Sequence, residues 1–266
     1  MWHSDGAVIS PSSDRALQDD VIRALADAPY RASADWRRRR LADPDRLERY
    51  ARFLARHFYY ERIVQFFKYS RSLAHVTARA PEVVLEGDGF AVLLPSVVLG
   101  SRETAQAVAR LVVAHVAATR APIPYLSDLL RYEAAMMLVE AGPRVWRETG
   151  KGEGGNGKGE PPQTVEGTVL LDLQYDLPAV LPKLLQPWTE PPRAPEVPTQ
   201  LLVARSPHGR VAVARSDAGV AAVVPLADGK RTLEQLAAGA GLPVGQLEAT
   251  LQGLVELGAV RFSTGS

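Results

Sequence analysis

Apolar residues fall at helical spacing through the first half of the chain. From Asp14 they recur at Leu17, Val21, Ala24, Leu25 and Ala28, a stripe of period 3.6 that Pro29 stops. A longer helix is expected from Pro44, with Leu47, Tyr50, Ala51, Leu54 and Phe58 on one face. The stripe then shifts by one, to Tyr59, Ile63, Phe66 and Phe67, which predicts a kink or two helices meeting near Phe58. Ser101 can cap a helix carrying Val108, Leu111, Val112, His115 and Val116. Pro124 opens "PYLSDLLRYEAAMMLVEAG", which Gly142 ends. This segment is apolar on two faces: Leu126, Leu129, Leu130, Met137 and Leu138 on one, Tyr132, Ala135, Met136 and Val139 on the other. Such a helix is central in a bundle or covered by a partner.

The period changes in the second half. Thr168 to Gln174 reads as a strand, followed by a short helix after Tyr175. "QLLVARSPHGRVAVARS" reads as a hairpin turning at His208-Gly209, with Val211 and Val213 alternating on its second strand. Three helices follow. "DAGVAAVVPLA" is the first, and Asp228-Gly229 turns the chain after it. Thr232 and Gln235 form a capping box for the second; the third follows Pro243 and carries Val244, Leu247, Leu251, Leu254 and Val255 up to Gly258. "AVRF" leaves as a final strand. A hairpin, three helices and a terminal strand predict a winged helix. The fold class expected is therefore α+β: a helical N-terminal domain over 1–149 and a winged-helix domain over 163–266. Between them, Gly150 to Pro162 forms a Gly/Lys/Glu insert that buries no core. A second interruption, "QPWTEPPRAPEVP", should run extended, with Trp188 as its anchor to a neighbouring surface.

Composition narrows the function. Of 266 residues, 46% are hydrophobic and 23% charged, which is enough apolar material for a packed core. A net charge of +1 gives no global field toward nucleic acid or membrane, although "WRRRR" at Trp36 to Arg40 is a local basic run. The chain has no cysteine, which excludes disulfides, thiolate metal sites and a cysteine nucleophile. No apolar run reaches membrane-spanning length and the first residues lack a secretory pattern, so a cytoplasmic location is expected.

Catalytic signatures are lacking. His3, His57, His75, His115 and His208 share no metal-ligand spacing, and no nucleophile elbow, P-loop or dinucleotide fingerprint occurs. His115, on an apolar stripe, reads as a satisfied core or interface histidine, and Asp172 with Asp176 as carboxylates at a strand end. Glu133 stands out, because it falls on the Leu126, Leu130, Met137 face and a buried carboxylate needs a partner. Arg131 points elsewhere, which leaves an arginine of the long helix or a polar contact at an interface. No catalytic residue and no metal ligand is therefore expected here.

Three stretches resemble one family. "PYLSDLLRYEAAMMLVEAG" resembles the proline-tyrosine-leucine, acidic-x-x-arginine-x-glutamate helix of the partner proteins that accompany multinuclear non-haem iron-dependent oxidative enzymes, which modify ribosomally made peptides, as in the methanobactin system. "LDLQYDLPAVLPKL" is similar to the segment opening the second half of those partners, and "LADGKRTLEQLAAGAGLPVGQLEATLQGLVELGAV" resembles a leader-peptide recognition winged helix. The likeness runs from about Asp43 to Phe262, the insert aside. It implies a non-catalytic subunit that binds the leader of a precursor peptide and presents it to an iron enzyme, with iron in that enzyme and no cofactor in this chain. A leader would add as a strand beside Val211 and Val213, its side chains entering a groove lined by Leu247, Leu251 and Leu254. The two-faced helix, through Tyr125, Asp128, Tyr132, Glu133 and Met136, would face the enzyme. The competing reading is a winged-helix DNA-binding regulator. Against it, "VGQLEATLQGLVELG" has two glutamates and no Lys or Arg, a face that repels phosphate.

Overall fold

The computed structural model describes residues 11–39, 43–142 and 161–262. It is a mixed α+β chain with a helical N-terminal part and small antiparallel sheets. The helices of the first half are α1 (Pro11–Ala26), α2 (Ala28–Arg31), α3 (Ala34–Arg37), α4 (Pro44–Phe66), α5 (Lys68–Ser72), α6 (Ala74–Thr77), α7 (Asp88–Leu93), α8 (Arg102–Ala117) and α9 (Leu126–Glu140). The second half runs β1 (Pro162–Thr164), β2 (Val169–Leu173), α10 (Leu177–Leu184), β3 (Thr199–Arg205), β4 (Val211–Arg215), α11 (Ala218–Leu226), α12 (Leu233–Ala240), α13 (Val244–Glu256) and β5 (Val260–Phe262).

The caps follow the sequence. Asp27 accepts from the Tyr30 amide at the start of α2, Ser101 accepts from the Thr104 amide at α8, and the Thr232–Gln235 box closes at α12. The long helix departs from expectation. No kink falls at Phe58; α4 continues to Phe66, and the break comes at Phe67, whose φ of −101° and ψ of 32° leave the helical region. The buried row is Ala51, Ala55, Tyr59, Ile63 and Phe66, so Tyr50 is on the outside, 52% exposed. Two alanines let α4 approach its neighbours closely, and the bulky rings at its N-terminal end are left outward.

β2, β3 and β4 form one antiparallel sheet in that spatial order, and β1 pairs with β5 separately. The terminal strand thus pairs with Pro162–Thr164, a segment whose first residue had read as insert; the rest of that insert lies outside the described residues, Pro161 apart. β3 is covered on both faces. Leu201 and Val203 join the helical core with Leu171, Leu173 and α10, whereas Leu202 and Ala204 join a second core with α11, α12 and α13. A strand buried twice needs an apolar run rather than alternation, and "LLVA" supplies it. The helical half therefore completes its core with residues from beyond the insert.

α9 is the central helix. It packs on α4, α5, α8, β2 and β3, and Tyr125, Asp128, Tyr132 and Glu133 are all at most 5% exposed. Both apolar faces seen in its sequence are covered by this chain. The expectation that these four residues face another subunit is corrected accordingly; Met136 is half-buried against the same core.

Candidate functional site

The sheet has two edges, and the chain treats them differently. In an antiparallel pair, alternate residues exchange hydrogen bonds and those between turn their N–H and C=O outward. The Ser206 amide donates to Arg210 O at 2.8 Å and the Ser216 amide to Gln200 O at 2.9 Å. These bonds bracket the pairs Ala204↔Ala212 and Leu202↔Ala214 in the same register. The even-numbered residues of β4 therefore bond β3, and Val211, Val213 and Arg215 turn their main-chain groups away from it. Among the described residues nothing pairs with that side of β4.

On β2 the same logic turns Leu170, Asp172 and Gln174 outward. Two of those three are occupied. Arg131 Nη1 donates to Asp172 O at 2.7 Å, and Asp128 Oδ2 accepts from the amides of Gln174 (2.6 Å) and Tyr175 (3.0 Å). The Asp-x-x-Arg spacing of α9 thus places an acceptor and a donor one turn apart on the β2 edge. Side chains of a helix block one edge, and the other is left bare.

The bare edge has defined surroundings. Val211, Val213 and Arg215 share the face of Leu201 and Val203, toward the helical bundle. Val211 packs against that core, Val213 is 36% exposed, and Arg215 pairs with Asp176 at 2.6 Å. Ala212 and Ala214 lie on the opposite face, toward the second core. α13 packs on α11, α12 and β5, and its leucines share the second core with Leu202 and Ala204 of β3. Its Thr250 lies close to Gly219, just beyond β4, and Gly258 abuts Arg205 at the end of β3, where a Cβ would meet the carbonyl oxygen at 2.1 Å. With φ of +77°, Gly258 is held by conformation and by contact alike.

Leu247, Leu251 and Leu254 are not part of an open groove. They are 0%, 2% and 1% exposed and form the second core with Leu202, Val223 and Val260. A helix packed by its leucines keeps them for the core, so the three are withdrawn as direct lining. The outward positions of α13 are Val244, Gly245, Gln246, Glu248, Ala249, Gln252 and Glu256.

Glu133 has neither partner that its sequence suggested. Its carboxylate accepts from the amides of Tyr69 (2.8 Å) and Ser70 (3.1 Å) and from the Ser70 hydroxyl, so it caps the start of α5 just past the α4 break. Burial pushes its pKa up to about 8, against the lowering pull of those hydrogen bonds. Such a partner is invisible in the sequence, since every residue but proline carries a main-chain N–H. His115 also differs: its Nε2 is buried with no hydrogen-bond partner among the described residues, and burial, then Arg79, lowers its pKa.

A second concavity of about 560 Å³ lies beneath the proline-rich strap, lined by Ile123, Tyr125, Tyr175, Pro191, Pro192 and Glu196 among others. The Tyr125 hydroxyl donates to Pro192 O at 2.8 Å, and the Trp188 ring sits 4.4 Å from that of His75, which pins the strap to α6. Among the described residues no group of three or more His, Asp or Glu is placed to hold a metal ion, and no helix is long and apolar enough to cross a membrane.

Among the described residues, the fold and site thus define a mixed α+β protein whose three-stranded sheet has one edge held by α9 and the other unpaired. No protein-family model matches the chain, and no curated protein matches it.

Proposed function

We propose that this chain is a non-catalytic partner subunit that holds the leader of a ribosomally made precursor peptide and presents it to an iron-dependent oxidative enzyme. One observation carries the peptide half of this reading: β4 offers the outward N–H and C=O groups of Val211, Val213 and Arg215 with nothing among the described residues paired to them, while α9 occupies the β2 edge. An extended peptide adding to β4 would gain main-chain hydrogen bonds there. Its side chains on one face would meet Val213, and those on the other the small side chains of Ala212 and Ala214. The β3–β4 hairpin, the helices α11, α12 and α13 and the terminal β5 follow in the order expected of a winged helix, with β5 paired to β1 rather than to the hairpin. The enzyme half of the reading rests on the family resemblance of α9 and of the Tyr175-Asp176-Leu177-Pro178 segment. A DNA-binding role is disfavoured by α13, whose outward positions include two carboxylates and no cation.

Val213→Pro tests the edge. Its N–H points away from β3, so proline removes no bond within the sheet and the fold should survive. Loss of one or two interfacial main-chain bonds costs on the order of 1–3 kcal/mol, or roughly 5- to 150-fold in affinity. The probe is a fluorescently labelled short peptide encoded beside this chain's gene, titrated at low and high salt. Weaker binding by a folded variant, with little salt dependence in the wild type, is expected. Unchanged affinity removes strand addition at β4, and a steep salt slope with duplex DNA in place of peptide binding returns the chain to the regulators.

A further inference from the structure

With α9 internal, the surface for a protein partner must lie elsewhere, and α4 carries an unusual one. Its outward side presents Tyr50 at 52%, Phe53 at 59% and Tyr60 at 40% exposure, rings that a folded chain ordinarily covers. They lie on one stripe with Arg46, Arg49, Arg56 and His57, spaced three and four residues apart over about four turns, or some 21 Å of helix. The rings are already arranged: Tyr50 stacks on Phe53 with centroids 6.3 Å apart, and Phe53 on His57 at 6.0 Å with planes 3° from parallel. Beside them an open trough of about 880 Å³ runs between α1 and α4, floored by Val21, Leu25 and Leu47.

Charge decides what this surface fits. Asp43 lines the trough beside Arg46, its carboxylate accepting from the Arg46 amide, and Glu48, alongside the stripe, is paired with Arg31 at 2.5 Å and Arg52 at 2.8 Å. Among the described residues, Arg46, Arg49 and Arg56 form no ion pair. Three guanidinium groups that form no ion pair among the described residues, on a chain of net charge +1, concentrate positive potential on one helix face. A second copy would bring the same three cations against the first. A single-stranded nucleic acid stacks its bases on free ring faces, and here Phe53 lies near-parallel to both Tyr50 and His57, too close to either for a base to insert between them. The outward ring edges, like the arginines, carry positive partial charge and favour carboxylates.

We infer that the α1–α4 face docks an acidic amphipathic helix of a partner protein, its apolar side in the trough and its carboxylates on Arg46, Arg49 and Arg56. The identity of that protein as the oxidative enzyme rests on the proposed function; the chemistry of the surface does not. Arg49→Glu combined with Arg56→Glu is the main variant, because both side chains are exposed and unpaired, and an unchanged melting temperature confirms the fold. Two probes are titrated by calorimetry: a multinuclear iron oxidative enzyme of the class named under the proposed function, and a synthetic helix of about three heptads with leucine at a and d and glutamate elsewhere. The wild type should bind both, less tightly as salt rises, and the double variant at least about tenfold more weakly. Phe53→Ala should weaken both with less change in salt dependence. If the wild type binds the acidic helix through these arginines but no enzyme, the surface stands and the partner-subunit reading falls. Binding of neither probe, equal binding by the charge-reversed variant, or tighter binding of single-stranded polyuridine than of the helix overturns the inference.

Discussion

Replacing Glu133 by glutamine should make this protein more stable at neutral pH, although it alters a fully buried side chain with three hydrogen-bond donors around it. The carboxyl is 0% exposed, and burial raises its pKa from 4.5 to about 8, the Ser70 and Tyr69 contacts notwithstanding. Between these two values the folded chain holds a proton that the unfolded chain has released. The stability associated with this group is therefore fully present below pH 4.5 and lost progressively as pH rises, the loss being complete a little above 8. At about 1.4 kcal/mol per unit, the wild type should lose on the order of 3 kcal/mol from this site alone between pH 4.5 and 7. Glutamine keeps the shape. Its oxygen can accept from the Tyr69 and Ser70 amides, and its amide can donate to the Ser70 hydroxyl. Urea unfolding of both proteins at pH 5, 6, 7 and 8 isolates the site, since all other titrations cancel in the difference. The curves should nearly meet at pH 5 and diverge by about 2–3 kcal/mol in favour of Glu133→Gln at pH 7. Parallel curves would show that the carboxyl is not desolvated. A wild type growing more stable relative to the variant with rising pH would show that the three donors outweigh burial, reversing the sign.

Two further outcomes follow from particular contacts. Gly258→Ala should destabilise by about 2–4 kcal/mol in thermal or urea unfolding, because a Cβ meets Arg205 O at 2.1 Å and the φ of +77° disfavours any other residue; a loss under about 1 kcal/mol would mean that α13 ends less tightly against β3. Asp128→Ala strips the acceptor from the Gln174 and Tyr175 amides at a site 5% exposed, and should cost about 2–4 kcal/mol and speed hydrogen exchange at those two amides; unaltered exchange there would show that α9 does not hold the β2 edge.

What the sequence could tell depended on the range of the interaction. Local chemistry was legible: the Ser101 cap, the Thr232–Gln235 box, the turn at Gly209 and the end of α13 at Gly258 each need only residues a few positions apart. Periodicity also revealed that α9 is apolar on two faces. It could not say whether the cover came from the same chain, because a partner's core and one's own leave the same pattern. The cover proved internal, and Tyr50, grouped with the apolar face of α4, proved external, as did Phe53 and Tyr60, which neither apolar stripe included. Ala51 and Ala55 decided that orientation: close packing favoured the small residues inward, a preference that a count of hydrophobic positions does not weigh.

The polar residues of α9 were the most informative and the most easily misread. An acidic-x-x-arginine-x-glutamate run on a buried helix suggested contacts with another protein, yet all three side chains are engaged within this one. Glu133 holds the break between α4 and α5, and Asp128 and Arg131 close the β2 edge. Their bearing on function is indirect but specific. An antiparallel three-stranded sheet has two edges that could each take an added strand, and an extended peptide would find either. With one edge occupied by a helix of the same chain, β4 is the edge left, among the described residues, for the strand addition proposed above. A polar motif at the centre of the helical half thus bears on binding in the other half by excluding the alternative edge.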